Sequence, residues 1–208
     1  MSRSPLDPNA LYPNPFVPAY WRQALADLKS PRILTFSALM IAACWALGLV
    51  PSIQLPMSVK ISWGFLARSL CSMVGGPLNA LVFGLAEDTV TYLLNPTGPY
   101  FPGYALTTML GNFTYALFLY RARISVTRIF VAKLLTNAQN VLLGSLWSAI
   151  LYGYGYIATA TVRLWKNIAM LLPQALMLVV LFTALLPILQ RARLIPPQPG
   201  KTLTIPLV

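Results

Sequence analysis

Six ionisable side chains stand where apolar sequence should exclude them. Glu87 and Asp88 fall in the run 77–94, Arg68 in 61–74 and Lys133 in 129–152, while Arg163 and Lys166 open the run 164–189. A charge inside a membrane segment is costly, so it normally faces the bundle interior and marks a functional site. An adjacent acidic pair has two chemical uses. Glu87 and Asp88 could act as acid and base in a membrane-embedded enzyme working on lipids, or one of them could hold Arg68 in a structural ion pair. The enzyme reading lacks support nearby, because the chain has no histidine. That removes the commonest general base and the usual zinc and iron ligand. No metal constellation replaces it. Cys44 and Cys71 lie in apolar runs and read as packing residues. Lys133 is expected to snorkel to the nearer membrane surface.

Uncharged polar residues follow the same faces. Arg163, Lys166, Asn167, Met170 and Gln174 fall on one side of a helix, as do Lys133, Asn137, Asn140, Gly144, Trp147 and Ser148. Thr108, Asn112 and Tyr115 make a third stripe, and Gly84, Asp88 and Thr91 a fourth. Singly, each amide or hydroxyl is equally well read as interhelical glue, which contributes about 0.6–2 kcal/mol per bond. Together the stripes converge on one half of the bundle.

The elements that must carry these stripes are membrane helices. Hydrophobic residues make up 57% of the 208 positions and charged residues 9%, far from a soluble domain. Six apolar segments, at about 33–50, 61–74, 77–94, 104–120, 129–152 and 164–189, predict an all-α membrane protein, a bundle of six transmembrane helices. The second is short and could be tilted or partly buried. Basic residues cluster before the first segment (Arg3, Arg22, Lys29, Arg32), after the fourth (Arg121, Arg123, Arg128) and after the sixth (Arg191, Arg193, Lys201). With six crossings these share one side, which the positive-inside rule makes cytoplasmic, so the N and C termini are expected to be cytoplasmic. The net charge of +11 is thereby explained by topology, not by nucleic-acid binding.

Three regions follow. Residues 1–30 are a cytoplasmic or interfacial N-terminal segment, with Pro18 to Ser30 expected as a short helix carrying Trp21, Leu25 and Leu28 on one side. Residues 31–193 form the membrane domain, and 194–208 a flexible cytoplasmic tail. On the outer side lies Asn95-Pro96-Thr97-Gly98-Pro99-Tyr100-Phe101-Pro102-Gly103-Tyr104. Its three prolines stiffen it, and its backbone cannot lie unprotected in hydrocarbon. It reads as a rigid, uncharged lid over a small-molecule site. Trp63, Tyr92, Trp147, Tyr152, Tyr154, Tyr156 and Trp165 gather near the same boundary, where an aromatic belt explains each one alone.

The chain resembles the S components of energy-coupling factor (ECF) transporters, of the folate-specific type. The likeness rests on Ile61-Ser62-Trp63-Gly64-Phe65-Leu66, on Gly76-Pro77 and on Ala86-Glu87-Asp88. The lid motif from Pro96 to Gly103 is its most specific element. Leu146-Trp147-Ser148-Ala149-Ile150-Leu151-Tyr152-Gly153 and Arg163-Leu164-Trp165-Lys166-Asn167 complete it.

The resemblance implies a multi-pass protein of the bacterial plasma membrane that binds folate with high affinity outside and is not an enzyme. It implies docking on a membrane T component and two cytoplasmic ATPases, which use the ATP; the chain itself needs no cofactor and has no phosphate loop. The family is thought to topple in the membrane to deliver its substrate. An alanine face of Ala38, Ala42 and Ala46 would meet the T component. Folate chemistry then assigns roles. Asp88, with Glu87 second, would accept the paired N–H donors of the pterin. Asn112 and Asn140 would read its other edges. Tyr100, Phe101 and Trp147 would enclose the flat rings. Arg163 and Lys166, with Asn167 beside them, would meet the anionic glutamate tail at the mouth. An S component for another vitamin is the alternative.

Overall fold

A computed structural model describes residues 9–12, 14–50, 53–55, 59–61, 63–96, 100–198 and 205–206. The elements are α1 (Pro18–Leu28), α2 (Pro31–Leu49), β1 (Ile53–Leu55), β2 (Val59–Ile61), α3 (Phe65–Leu94), α4 (Pro102–Leu119), α5 (Val126–Tyr152) and α6 (Tyr156–Arg191). The apolar runs account for the helices. Pro at the first turn of α1, α2 and α4 is placed where its missing N–H costs nothing. The fold is not purely helical: β1 and β2 pair antiparallel, Ile53 opposite Ile61, in the connection after α2.

Two of the expected helices are the arms of α3. Gly76 has φ 77°, outside any helix, and Pro77 follows it. The chain doubles back there, so that Arg68 on the first arm reaches Glu87 on the second. The first arm, 65–75, is only about 16 Å long at 1.5 Å per residue. Its start therefore lies part-way down the bundle and not at its surface. Tyr120, just past α4, fills the outside of the bend. A Cβ on Gly76 would come within 2.9 Å of the Tyr120 ring. Gly76→Ala is expected to cost at least about 1–3 kcal/mol, because the left-handed backbone and the ring both oppose it. Gly48→Ala, where a Cβ meets nothing within 4 Å, should leave the thermal midpoint unchanged or slightly raised. Equal midpoints for the two variants would remove Gly76 from this role.

Among the described residues, four helices, α2, α3 (counted end to end), α5 and α6, are long and apolar enough to cross a membrane. The main core lies at the end of the bundle that holds the bend, built from Ile33, Leu70, Tyr115, Ile129, Leu178 and Phe182 among others. Both terminal regions meet at that end. Tyr12 N–H donates to the Arg121 carbonyl and Val126 N–H to the Pro206 carbonyl. Gln198 bridges the Ala122 carbonyl and the Ile124 N–H. In the described part of the tail, Ile195 is buried and Ile205 packs on the core, so its apolar residues cover the turn between α4 and α5.

Candidate ligand-binding cavity

A cavity of about 160 Å³ opens between the first arm of α3, α4, α5 and α6. Each wall is one of the polar stripes. From α4 come Thr107, Thr108, Gly111, Asn112 and Tyr115; from α5, Lys133, Thr136, Asn137 and Asn140; from α6, Lys166, Asn167 and Gln174; from α3, Phe65 and Arg68. Helical periodicity puts these residues on one face of each helix, and packing turns those faces together.

Asn112 is 1% exposed, and neither its amide nitrogen nor its carbonyl oxygen has a hydrogen-bond partner. The Asn140 side-chain oxygen is likewise buried and unpartnered. Buried polar groups are normally satisfied, so on the cavity wall these atoms are open to water or to a ligand. Other amides are already spent on the scaffold. Asn137 Nδ2 donates to the Asn167 carbonyl at 3.3 Å, and Asn167 Nδ2 to the Arg163 carbonyl at 2.8 Å. Tyr115 accepts from Thr136 at 3.3 Å.

Of the two uses weighed for the acidic pair, the structural ion pair with Arg68 is the one present. Glu87 is not a ligand-facing carboxylate. It is buried and paired with Arg68 through two bonds, Nη2–Oε1 at 2.8 Å and Nε–Oε2 at 3.1 Å. The bend at Gly76 brings these two positions face to face. Asp88 is not on the cavity wall either. Its Oδ1 accepts from Thr108 Oγ1 at 3.3 Å, so the threonine stands between the carboxylate and the hollow. Lys133 does not snorkel. It is 5% exposed, it lines the cavity, and its Nζ sits 4.4 Å from the centre of the Phe65 ring. Among the described residues it makes no ion pair. The signal for Lys133 was its place on the stripe with Asn137 and Asn140.

Arg163 is buried between helices and lies off the cavity wall. Its guanidinium lies against Gly144, where a Cβ would meet Nη1 at 2.8 Å, and Nη2 donates to Ser148 Oγ at 2.9 Å. It braces α5 against α6. The expected stacking rings are displaced as well. Tyr100, Phe101 and Trp147 line a second, apolar hollow with Leu85, Gly103 and Met109. The Trp147 indole N–H donates to Thr107 Oγ1 at 2.9 Å. That bond ties the indole to the back of the cavity wall and turns its ring onto Phe101, 5.7 Å away. Gly103 makes room, since a Cβ there would meet both rings. The rings on the polar cavity itself are Phe65 and Tyr115; inside apolar runs they look like ordinary core.

Thr97, Gly98 and Pro99, the centre of the expected lid, lie outside the described residues. Its flanks are held: Tyr100 touches Tyr92 and lies 3.3 Å from Thr89 Oγ1, while Phe101 packs on Tyr104 and Trp147. Asn112, Asn140, Lys166 and Asn167 are the expected site residues that do share the cavity wall.

Helices of membrane-spanning length around a small polar hollow define a solute-binding membrane protein. No family model matches the chain. It is 30% identical over 144 residues to the folate transporter FolT of Clostridium novyi (strain NT), covering 69% of this chain and 83% of that one. It is 27% identical over 146 residues to FolT of Streptococcus mutans serotype c (strain ATCC 700610 / UA159), covering 67% and 78%. The crystal structure of FolT bound with folic acid superposes with a TM-score of 0.66 at 27% identity, over 72% of this chain and 91% of that one. The chain belongs to the FolT family of folate transporters, the folate-specific S components.

Proposed function

We propose that this chain captures folate at the outer face of a bacterial plasma membrane and hands it to an ATP-driven module of one T component and two ATPases. Its role is binding, and the chemistry belongs to the partners. Six helical arms lie in the membrane, the two arms of α3 counting separately and the short first arm reaching only part-way across, with both termini cytoplasmic. The basic residues at the end shared by the termini support that orientation. Ala38, Ala42 and Ala46 are exposed on α2, as a flat docking face for the T component requires.

One observation carries the binding role: the unpartnered side-chain atoms of Asn112 and Asn140 in the cavity between helices. An amide-like heterocycle satisfies them. The pterin lies between Phe65 and Tyr115, with Asn112 and Asn140 on its edges and Lys133 donating to its ring oxygen. Thr108, oriented by Asp88, adds a further contact. The glutamate tail leaves towards the outer end of α6, where Lys166 meets a carboxylate.

Fluorescence titration of the purified chain with folate and with pteroate, which lacks the glutamate, tests this arrangement. Lys133→Met should weaken both ligands by the same factor, about tenfold to a hundredfold for loss of a charge-assisted hydrogen bond. Lys166→Met should weaken folate more than pteroate. If the wild-type chain does not bind folate, or if another vitamin displaces it equally well, the folate reading fails.

A further inference from the structure

Helix α1 has three faces. At about 100° per residue, Tyr20, Gln23, Ala24 and Asp27 share one side, and this side is docked. Tyr20 and Ala24 pack with Ala80, Ala116 and Tyr120. Asp27 accepts from the Tyr120 hydroxyl at 2.6 Å and pairs with Arg121 at 3.2 Å. The helix therefore has a fixed rotation. Trp21 and Leu25 form the next strip and are 37% and 50% exposed, with Phe16 just ahead at 90%. Trp21 lies 6.3 Å from Phe113 on α4, so the strip continues the outer surface of a bundle helix. Beside it, turned one step towards water, come Arg22 and Lys29, both exposed.

An apolar strip flanked by cations is the pattern of a helix lying in a headgroup layer. The charge around it has one sign. Arg32, Arg123, Arg191 and Arg193 are exposed at the same end. Asp27, the one acidic residue among the described residues outside the pair Glu87-Asp88, is already engaged by Tyr120 and Arg121.

We propose that α1 is a binding surface for anionic phospholipid. Trp21 and Leu25 enter the acyl boundary, and Arg22 and Lys29 hold the lipid phosphate. The buried face and the Asp27–Arg121 pair keep both strips at the right height. The surface is independent of the ligand cavity.

The full chain in neutral detergent, titrated with phosphatidylglycerol or phosphatidylcholine, tests this. Retained lipid is read by native mass spectrometry, and the thermal midpoint is read alongside. Phosphatidylglycerol should be retained in preference and should raise the midpoint. Arg22→Gln with Lys29→Gln should weaken that retention by about twenty-fivefold, each basic residue near an anionic surface being worth about fivefold. Trp21→Ala should weaken both lipids. Folate affinity should be unchanged in the double variant, which shows that it folds. Equal retention of the two lipids, or undiminished phosphatidylglycerol retention by the double variant, overturns the proposal. So does complete displacement of the lipid by inorganic phosphate, which would mean a simple anion site. Loss of folate binding by the wild-type chain would count against the folate reading alone.

Discussion

Replacing Arg68 by Met is expected to lower the stability of the folded bundle by about 3–5 kcal/mol, because it strands a buried carboxylate. The two partners are not equivalent. The Glu87 side chain is 2% exposed, whereas that of Arg68 is 32% exposed and looks into the cavity. Glu87→Gln leaves a cation that water in the cavity can solvate, so its cost should be clearly smaller. The double variant Arg68→Met with Glu87→Leu removes both charges and should be more stable than Arg68→Met alone. Thermal unfolding of the three variants in detergent gives the order. Equal losses for the two single variants would mean that the pair is solvated on both sides.

Asn112→Leu should move stability and affinity in opposite directions. Both polar atoms of this side chain are buried without partners, and each such atom costs about 1–3 kcal/mol in the empty protein. An apolar residue of similar size removes that cost, so the ligand-free midpoint should rise. On the proposed arrangement, folate affinity should fall about tenfold to a hundredfold, because the ligand loses one amide partner. Gly84 gives the side chain its room, since a Cβ there would come within 3.0 Å of Asn112 Nδ2. A lower midpoint with unchanged affinity would make Asn112 ordinary helix glue.

The helices were legible because apolar runs of membrane length leave few other structures. The run at 104–120 became α4, and the pair of runs around Gly76-Pro77 became the two arms of α3. The cavity walls were legible as stripes, and Asn112, Asn140 and Lys166 appear on them. What periodicity cannot give is the rotation of one helix against another. Asp88 and Glu87 are neighbours, yet the bend commits one to Arg68 and puts the other behind Thr108. Trp147 shares a stripe with Lys133, but a single bond to Thr107 turns its ring out of the hollow. Lys133 was misjudged for a different reason. Long side chains reach a membrane surface from that depth only when they point towards it, and this one points at Phe65.

The size of the hollow limits what it can measure. A space of about 150 Å³ takes a benzene ring, and this one is about 160 Å³. It can inspect the head of an elongated vitamin but not its whole length. Discrimination between rings then resides in the hollow, and on the proposed arrangement everything beyond the carboxylate at Lys166 is left to the solvent side. Conjugates lengthened at the far end, polyglutamates for example, should compete nearly as well as the parent compound, whereas a single substituent on the ring edge should be rejected.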